Sequence, residues 1–88
     1  MTVARALTMR RSIVPLNDRK KFMQKLRARR AYYTGAGCHF WVFEESDLAG
    51  AFVEFVEAAD QDTLARALAS APEQVVDGAR IYQEVELD

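Results

Sequence analysis

The fold is decided by residues 38–58, which read CHFWVFEESDLAGAFVEFVEA. Two apolar segments, 38–43 and 51–58, flank the polar, glycine-containing segment 44–50, and this pattern is typical of two strands joined by a turn. Both faces of the first strand are apolar or aromatic, so we expect it to be covered on both faces. The hairpin therefore predicts a sheet with something packed against each side.

The predicted hairpin groups several candidate site residues. Centring it on the turn gives the pairs Phe43 with Phe52, Trp41 with Glu54 and His39 with Val56. On this register Glu54 shares a sheet face with His39 and Trp41, because cross-strand partners point to the same side. We expect this patch to bind a flat organic molecule, with His39 as base or proton shuttle and Tyr33 as a further substrate-orienting residue. The alternative is an interface histidine beside a salt-bridged glutamate.

The preceding segments predict a strand and a helix. Residues 3–14 favour a strand that ends at Pro15, since proline cannot donate to a ladder. The alternation is blurred at Arg10-Arg11-Ser12, as in a bulge. Asn17 is the expected N-cap of a helix over 18–33.

The following segments predict a second helix and a last strand. Asp60 is the expected N-cap of this helix, and Asp62 lies in its first turn, where a negative charge is favourable. Pro72 ends the helix and begins a turn over 72–78. Apolar and polar residues alternate over 80–87, as in a final strand.

The resulting β-α-β-β-α-β order predicts the fold class. It is an α+β fold, a ferredoxin-like sandwich with a four-stranded antiparallel sheet and two helices on one face. The 88 residues are expected to form a single domain, 1–88. Because the helices can cover only one face of the sheet, we expect the other face to meet a second copy of the chain. The predicted assembly is a homodimer formed through the sheet.

Charge is distributed unevenly along the chain. Residues 1–43 carry ten Lys or Arg and one acid, whereas residues 44–88 carry two Arg and twelve acids, for a net charge of −1. The favoured interpretation is complementarity within the folded protein. The alternative is a basic surface for an anionic ligand or for nucleic acid. The sequence pI of about 5.8 argues against nucleic acid.

Several classes of protein are disfavoured by composition. A single cysteine, Cys38, excludes an internal disulfide, and a single histidine argues against a zinc site. No apolar run approaches the roughly 20 residues of a membrane span, and the first residues do not resemble a secretory signal. No phosphate loop, metal-ligand spacing or nucleophile elbow is found. We expect a cytoplasmic protein that uses no metal or cofactor and does not bind membranes.

Two stretches resemble a known family. They are Pro15-Leu16-Asn17-Asp18-Arg19 and Gly37-Cys38-His39-Phe40-Trp41, the second of which opens an aromatic strand. Over nearly its whole length the chain resembles the dimeric α/β-barrel superfamily, which includes the antibiotic-biosynthesis monooxygenase-like proteins. This resemblance implies a homodimer whose two sheets pack face to face as an α/β barrel. It also implies a small, often aromatic or polyketide-like molecule bound between helices and sheet.

The resemblance implies more than one activity. We expect a small-molecule-binding protein, in one form a cofactor-independent monooxygenase or cyclase acting on an aromatic or polyketide-like compound. A non-catalytic interaction or regulatory protein of the same fold is the alternative. Val56-Glu57-Ala58 stands where monooxygenase-like members often have Glu-Glu-Trp, so no catalytic residue is carried over from the family.

The same order of elements resembles the RNA-recognition motif. The likeness lies at Ala51-Phe52-Val53-Glu54-Phe55. RNA binding by that fold depends on aromatic rings that stack on bases, and the first strand, Leu7-Thr8-Met9-Arg10, offers none. RNA binding is therefore the least favoured alternative.

Overall fold

Four strands and two helices follow one another in the predicted β-α-β-β-α-β order. A computed structural model of the chain describes residues 4–72 and 80–87. The elements are β1 (Ala6–Ile13), α1 (Arg19–Gly35), β2 (His39–Glu44), β3 (Ala51–Ala58), α2 (Gln61–Ala69) and β4 (Tyr82–Gln83). The strands form one antiparallel sheet in the order β2-β3-β1-β4. The prediction of an α+β fold is confirmed, and its topology is consistent with a ferredoxin-like arrangement.

Alternation along β3 separates the two faces of the sheet. Buried side chains alternate with half-buried ones, namely Phe52, Glu54, Val56 and Ala58 against Val53, Phe55 and Glu57. Both helices pack on the buried side, where Tyr33 of α1 and Leu64 of α2 join Val56 in one core cluster. The Tyr32 hydroxyl donates a hydrogen bond to the Ala67 carbonyl at 2.6 Å, which ties α1 to α2. We call this side the helix face and the opposite side the open face.

The open face is rich in apolar side chains. By strand register it carries Leu7, Met9, Arg11 and Ile13 of β1, His39, Trp41 and Phe43 of β2, and Val53, Phe55 and Glu57 of β3. Trp41 is 43% exposed and Phe43 is 60% exposed. The part of the chain that the structure describes leaves this face uncovered. A contiguous exposed apolar surface of this kind is typical of an interaction site.

The register between β2 and β3 differs by one residue from the predicted one. The observed partners are His39 with Glu57, Trp41 with Phe55 and Phe43 with Val53. β2 continues through Glu44, which was predicted to lie in the turn and which pairs with Phe52. Because side chains alternate between faces, the shift moves Glu54 from the open face to the helix face.

The Glu44 carboxylate explains where β2 ends. It accepts hydrogen bonds from both terminal nitrogens of Arg19, at 2.6 and 2.9 Å, and from the Gly50 backbone N–H at 2.9 Å. Gly50 has a φ of 91°, and a Cβ at this position would lie 2.3 Å from the Val14 carbonyl oxygen. Glycine is therefore required where the loop closes on β1. Together these contacts fix the hairpin and its register.

Two predictions about the first half of the chain are wrong. Asn17 is not the N-cap of α1, because a 3-10 turn over Leu16–Asp18 precedes the helix, and Asp18 occupies the cap position without a side-chain cap hydrogen bond. No bulge interrupts β1, since Ala6–Ile13 pairs residue for residue with β3.

In the second half, the cap of α2 is confirmed and the last strand is shorter than predicted. Asp60 Oδ1 accepts a hydrogen bond from the Thr63 backbone N–H at 2.7 Å. β4 comprises Tyr82–Gln83 instead of 80–87, because its partner strand begins at Ala6, and beyond it the Glu84 N–H still donates to the Arg5 carbonyl. The predicted turn over 72–78 lies outside the described residues, apart from its first position.

Complementarity between the basic and acidic halves of the chain is confirmed. The ion pairs that join them are Arg5–Glu84 at 2.6 Å, Arg5–Glu57 at 3.3 Å, Arg11–Glu45 at 3.1 Å, Arg19–Glu44 at 2.6 Å and Arg29–Glu54 at 2.7 Å. Each brings a cation from residues 1–43 to an acid from residues 44–88.

Neither helix in the described ranges is long and apolar enough to cross a membrane.

The hydrogen bonds of the Glu44 carboxylate to Arg19 and Gly50 predict a contribution to stability that depends on pH. The hydrogen bonds from Arg19 and Gly50 lower the pKa of Glu44 from its ordinary 4.5 to about 2. A depressed pKa in the folded state means that the ionised carboxylate stabilises the fold above the ordinary pKa. This contribution is lost as the pH falls from that value through the folded one. Glu44→Gln should therefore flatten the loss of unfolding free energy in this window, measured by urea titration.

The matched control for this experiment is Asp47→Asn, which removes a carboxylate from the loop that follows Glu44. It should keep the wild-type slope of unfolding free energy against pH. If the unfolding free energy of Glu44→Gln falls with pH as steeply as that of wild type, the Glu44 carboxylate does not stabilise the hairpin as described.

Candidate functional site

A cavity lies between the helix face of the sheet and the two helices. Its volume is about 420 Å³, within the roughly 300–1,000 Å³ typical of small-molecule sites. Apolar and aromatic side chains form much of its wall, among them Tyr32, Tyr33, Phe40, Val56, Leu68 and Ala71. The cavity is therefore suited to an organic molecule with a substantial apolar body.

Tyr33 forms a fixed aromatic part of the wall. It is the last large apolar residue of α1, and its ring stacks on Phe40 of β2 with centroids 5.9 Å apart and planes within 5°. Burial raises the pKa of the Tyr33 phenol, because the phenolate is disfavoured away from water. Tyr33 thus presents a neutral phenol and a flat ring.

A buried ion pair lies in the same wall. Arg29 Nη1 donates to Glu54 Oε1 at 2.7 Å, and the two side chains are only 13% and 4% exposed. The Arg29 guanidinium also packs over the Phe22 ring, 5.9 Å from its centroid. The cost of removing two charges from water offsets much of their attraction, so stability alone does not account for this pair.

Two buried oxygens in the cavity wall make no hydrogen bond within the described structure. They are Glu54 Oε2 and Thr8 Oγ1. Thr8 pairs with Val56 on β3, which places both oxygens on the helix face of adjacent strands. Buried polar groups in proteins are almost always hydrogen-bonded, and leaving one without a partner costs about 1–3 kcal/mol. A ligand with hydrogen-bonding groups can satisfy both atoms.

The four predicted site residues fall into two groups. Tyr33 and Glu54 line the cavity. His39 and Trp41 lie on the open face, with ring centroids 5.8 Å apart. His39 Nδ1 lies 3.2 Å from Glu57 Oε1, and the histidine side chain is 74% exposed. The predicted patch of His39, Trp41 and Glu54 on one face is therefore corrected. The observed register pairs Trp41 with Phe55 and His39 with Glu57, and it turns Glu54 to the helix face.

Thr8 and Arg29 were not predicted as site residues. Arg29 falls at helical spacing on the stripe that includes Phe22, Leu26 and Tyr33, and a charge on the apolar face of a helix requires a buried partner. This interruption of the stripe is a signal of a buried charge, but Arg30 has the same kind of spacing to Leu26 and Tyr33, so the sequence does not distinguish the two arginines. Thr8 carries no comparable signal, because a threonine within a strand is common on either face.

The described parts of the chain contain neither a reactive cysteine nor a metal site. Cys38 is buried, and burial raises the pKa of its thiol, so it remains protonated and unreactive. No group of three or more His, Cys, Asp or Glu side chains within residues 4–72 and 80–87 is arranged to hold a metal ion. The chemistry of the cavity therefore depends on Glu54, Arg29, Thr8 and Tyr33.

Removal of the buried Thr8 hydroxyl should stabilise the protein. Thr8→Val replaces a buried hydroxyl that has no partner by a methyl group of similar size, and should raise the unfolding free energy by about 1 kcal/mol. Thr34→Val, at an exposed position of α1, is the control and should change it by less than about 0.5 kcal/mol. Urea denaturation measures both. A loss of stability in Thr8→Val would show that the hydroxyl is satisfied.

Comparison with known proteins supports the fold. A scan against protein-family models and a search of curated proteins find no match. Among solved structures, the chain is similar to a conserved protein from Methanosarcina mazei Go1, with 16% identity, a TM-score of 0.64, and coverage of 93% of this chain and 92% of that one. It is also similar to Rv0793 from Mycobacterium tuberculosis, with 18% identity, a TM-score of 0.59, and coverage of 97% and 96%. Identities this low show a shared fold alone.

Proposed function

We propose that this protein binds a small organic molecule in the cavity between its helices and its sheet. The observation that carries this proposal is the pair of buried oxygens, Glu54 Oε2 and Thr8 Oγ1, in the wall of an apolar cavity, neither of which has a hydrogen-bond partner among the described residues. A core that served packing alone would pair such atoms or exclude them. A bound molecule supplies the missing hydrogen bonds and fills the space.

The form of the cavity supports the same proposal. Small-molecule sites combine apolar and aromatic walls with a few convergent polar groups. Here the stacked rings of Tyr33 and Phe40 provide a flat wall, and Glu54 with Thr8 provides the polar groups. Tyr33 and Glu54 therefore keep their predicted role as substrate-binding residues in the proposal.

Catalysis by a cofactor-independent monooxygenase or cyclase is a narrower form of the proposal. Such chemistry needs an acid–base group within hydrogen-bond reach of the bound molecule. In the cavity of the single chain, the carboxylate of Glu54 has an oxygen open to that role. His39 lies on the open face, and its catalytic role stays a prediction.

We also propose that the protein is a homodimer in which the open faces of two sheets pack together as an α/β barrel. The open face combines exposed aromatic side chains, Trp41 and Phe43, with charged residues such as Arg11 and Glu57. An apolar centre with a polar rim is typical of protein interfaces. A small domain buries little of its own surface, so a second copy provides burial that one chain lacks. His39 and Trp41 are interface residues in this dimer.

Filling the cavity should weaken binding of an aromatic probe. Ala28 lines the cavity, and Ala31 on the same helix does not. Ala28→Phe should weaken binding of anilinonaphthalene sulfonate by about ten-fold, equivalent to about 1.4 kcal/mol, in a fluorescence titration. Ala31→Phe adds the same ring elsewhere and should bind as wild type does. Equal binding by both variants would place the probe outside the cavity and contradict the proposal.

The homodimer predicts a change of mass on disruption of the open face. Light scattering at micromolar concentration should give about twice the 10.0 kDa monomer mass. Trp41→Lys should give monomers, because it would bury an unpaired charge in an apolar interface. Leu48 is exposed to a similar extent, 48% against 43%, but lies in the hairpin loop, so Leu48→Lys should remain dimeric. A monomeric wild-type protein would refute the proposed dimer.

A further inference from the structure

We infer that the cavity takes an aromatic molecule with an anionic group, such as a carboxylate, at the cavity mouth and a hydroxyl group at its base. The inference rests on the proposed function and names the chemical class of its ligand. It follows from how charge and hydrogen-bonding groups are distributed around the cavity.

The mouth of the cavity carries excess positive charge. Three exposed cations, Arg10, Lys25 and Arg80, contribute to its lining. Among the described lining residues Glu54 is the one acid, and it is paired with Arg29. Uncompensated cations around an opening attract and hold an anion.

The cations at the cavity mouth differ from three arginines elsewhere in the chain. Arg5, Arg11 and Arg19 lie away from the cavity, and each forms an ion pair with a glutamate. Arg10 and Lys25 form none with any residue that the structure describes. Lys20, Lys21, Arg27 and Arg30 outside the cavity likewise form no ion pair with a described residue. What distinguishes Arg10 and Lys25 is therefore their position in the cavity lining.

The buried part of the cavity wall, which we call the base, contains Glu54 and Thr8 and favours a different ligand group. An ionised carboxylate only accepts hydrogen bonds, whereas a threonine hydroxyl can donate or accept. A ligand hydroxyl can therefore donate to Glu54 Oε2 and accept from Thr8 Oγ1, the two buried oxygens for which the described structure supplies no partner. A carboxylate placed there would instead be repelled by Glu54. The anionic group is accordingly directed outward and the hydroxyl inward.

The wall between base and mouth favours a flat ring. The rings of Tyr33 and Phe40 are nearly parallel and both line the cavity, together with Val56 and Leu68. Aromatic rings pack on such a surface by offset stacking or edge contacts, and gain attraction beyond that of the buried area. The three features together describe a hydroxylated aromatic carboxylate.

Three matched fluorescent probes test this assignment. They are 6-hydroxy-2-naphthoate, which has both groups, 2-naphthoate, which lacks the hydroxyl, and 2-naphthol, which lacks the carboxylate. Fluorescence titration of the wild-type protein should show that 6-hydroxy-2-naphthoate binds tightest. Each probe that lacks one group should bind at least about ten-fold more weakly, the effect of about 1.4 kcal/mol.

Variants test which residues provide the affinity gained from the carboxylate and from the hydroxyl of the probe. Arg10→Gln with Lys25→Gln should remove most of the advantage of 6-hydroxy-2-naphthoate over 2-naphthol. The control, Lys20→Gln with Lys21→Gln, changes the net charge equally at positions outside the cavity and should preserve that advantage. Thr8→Val should reduce the advantage of 6-hydroxy-2-naphthoate over 2-naphthoate while leaving the protein folded.

The outcomes separate this inference from the proposed function. If the three probes bind with equal affinity in the cavity, the ligand class is wrong but the cavity remains a binding site. If both double variants lose the carboxylate advantage equally, bulk charge explains it and the assignment of the mouth is overturned. If none of the three probes binds, the ligand class is likewise wrong. If Ala28→Phe does not weaken binding of anilinonaphthalene sulfonate, the proposed function fails and the inference fails with it.

Discussion

The carboxylate of Glu44 fixes the register on which the arrangement of the sheet depends. Arg19 and Gly50 hold it at the end of β2, which sets the pairing of β2 with β3. Because side chains alternate along a strand, this pairing decides which residues face the helices and which remain open. Glu54 is thereby directed into the cavity and Trp41 to the open face. A slip of one residue would bury Phe55 under the helices and expose Glu54.

Both faces of the sheet depart from ideal packing, but in different ways. On the helix face, Phe52 and Leu64 are the largest fully buried side chains, and a cavity of about 420 Å³ lies beside an ion pair and two oxygens without partners. On the open face, aromatic rings remain in contact with solvent. Natural proteins accept such departures from ideal packing at functional sites, where they cost stability. A ligand that binds only the folded state increases its stability by mass action, and in the proposed dimer a second copy of the chain would do the same.

The elements and their order could be predicted from the sequence because each depends on local signals. Alternation marks the hairpin strands, and Asp60 caps α2 through a hydrogen bond to a residue three positions ahead. The errors arise where distant contacts decide. Glu44 looks like a turn residue until its partner Arg19, 25 positions earlier, is known. Within the candidate site, Tyr33 and Glu54 were predicted and Arg29 was not, because neighbouring cations in a basic helix conceal the one that is buried.

The position of β3 in the sheet makes the two surfaces structurally separate. β3 is paired along its length on both sides, with β1 and with β2, so its backbone is held more firmly than that of the short edge strand β4. Glu54 and Phe55 are consecutive residues, yet they point to opposite faces, one into the cavity and the other toward the solvent. We therefore expect substitutions on one face to leave the side chains of the other face in place. Substitutions at sites that share no partners have nearly additive effects on stability, and we expect this for one substitution in the proposed ligand cavity combined with one on the proposed dimer face.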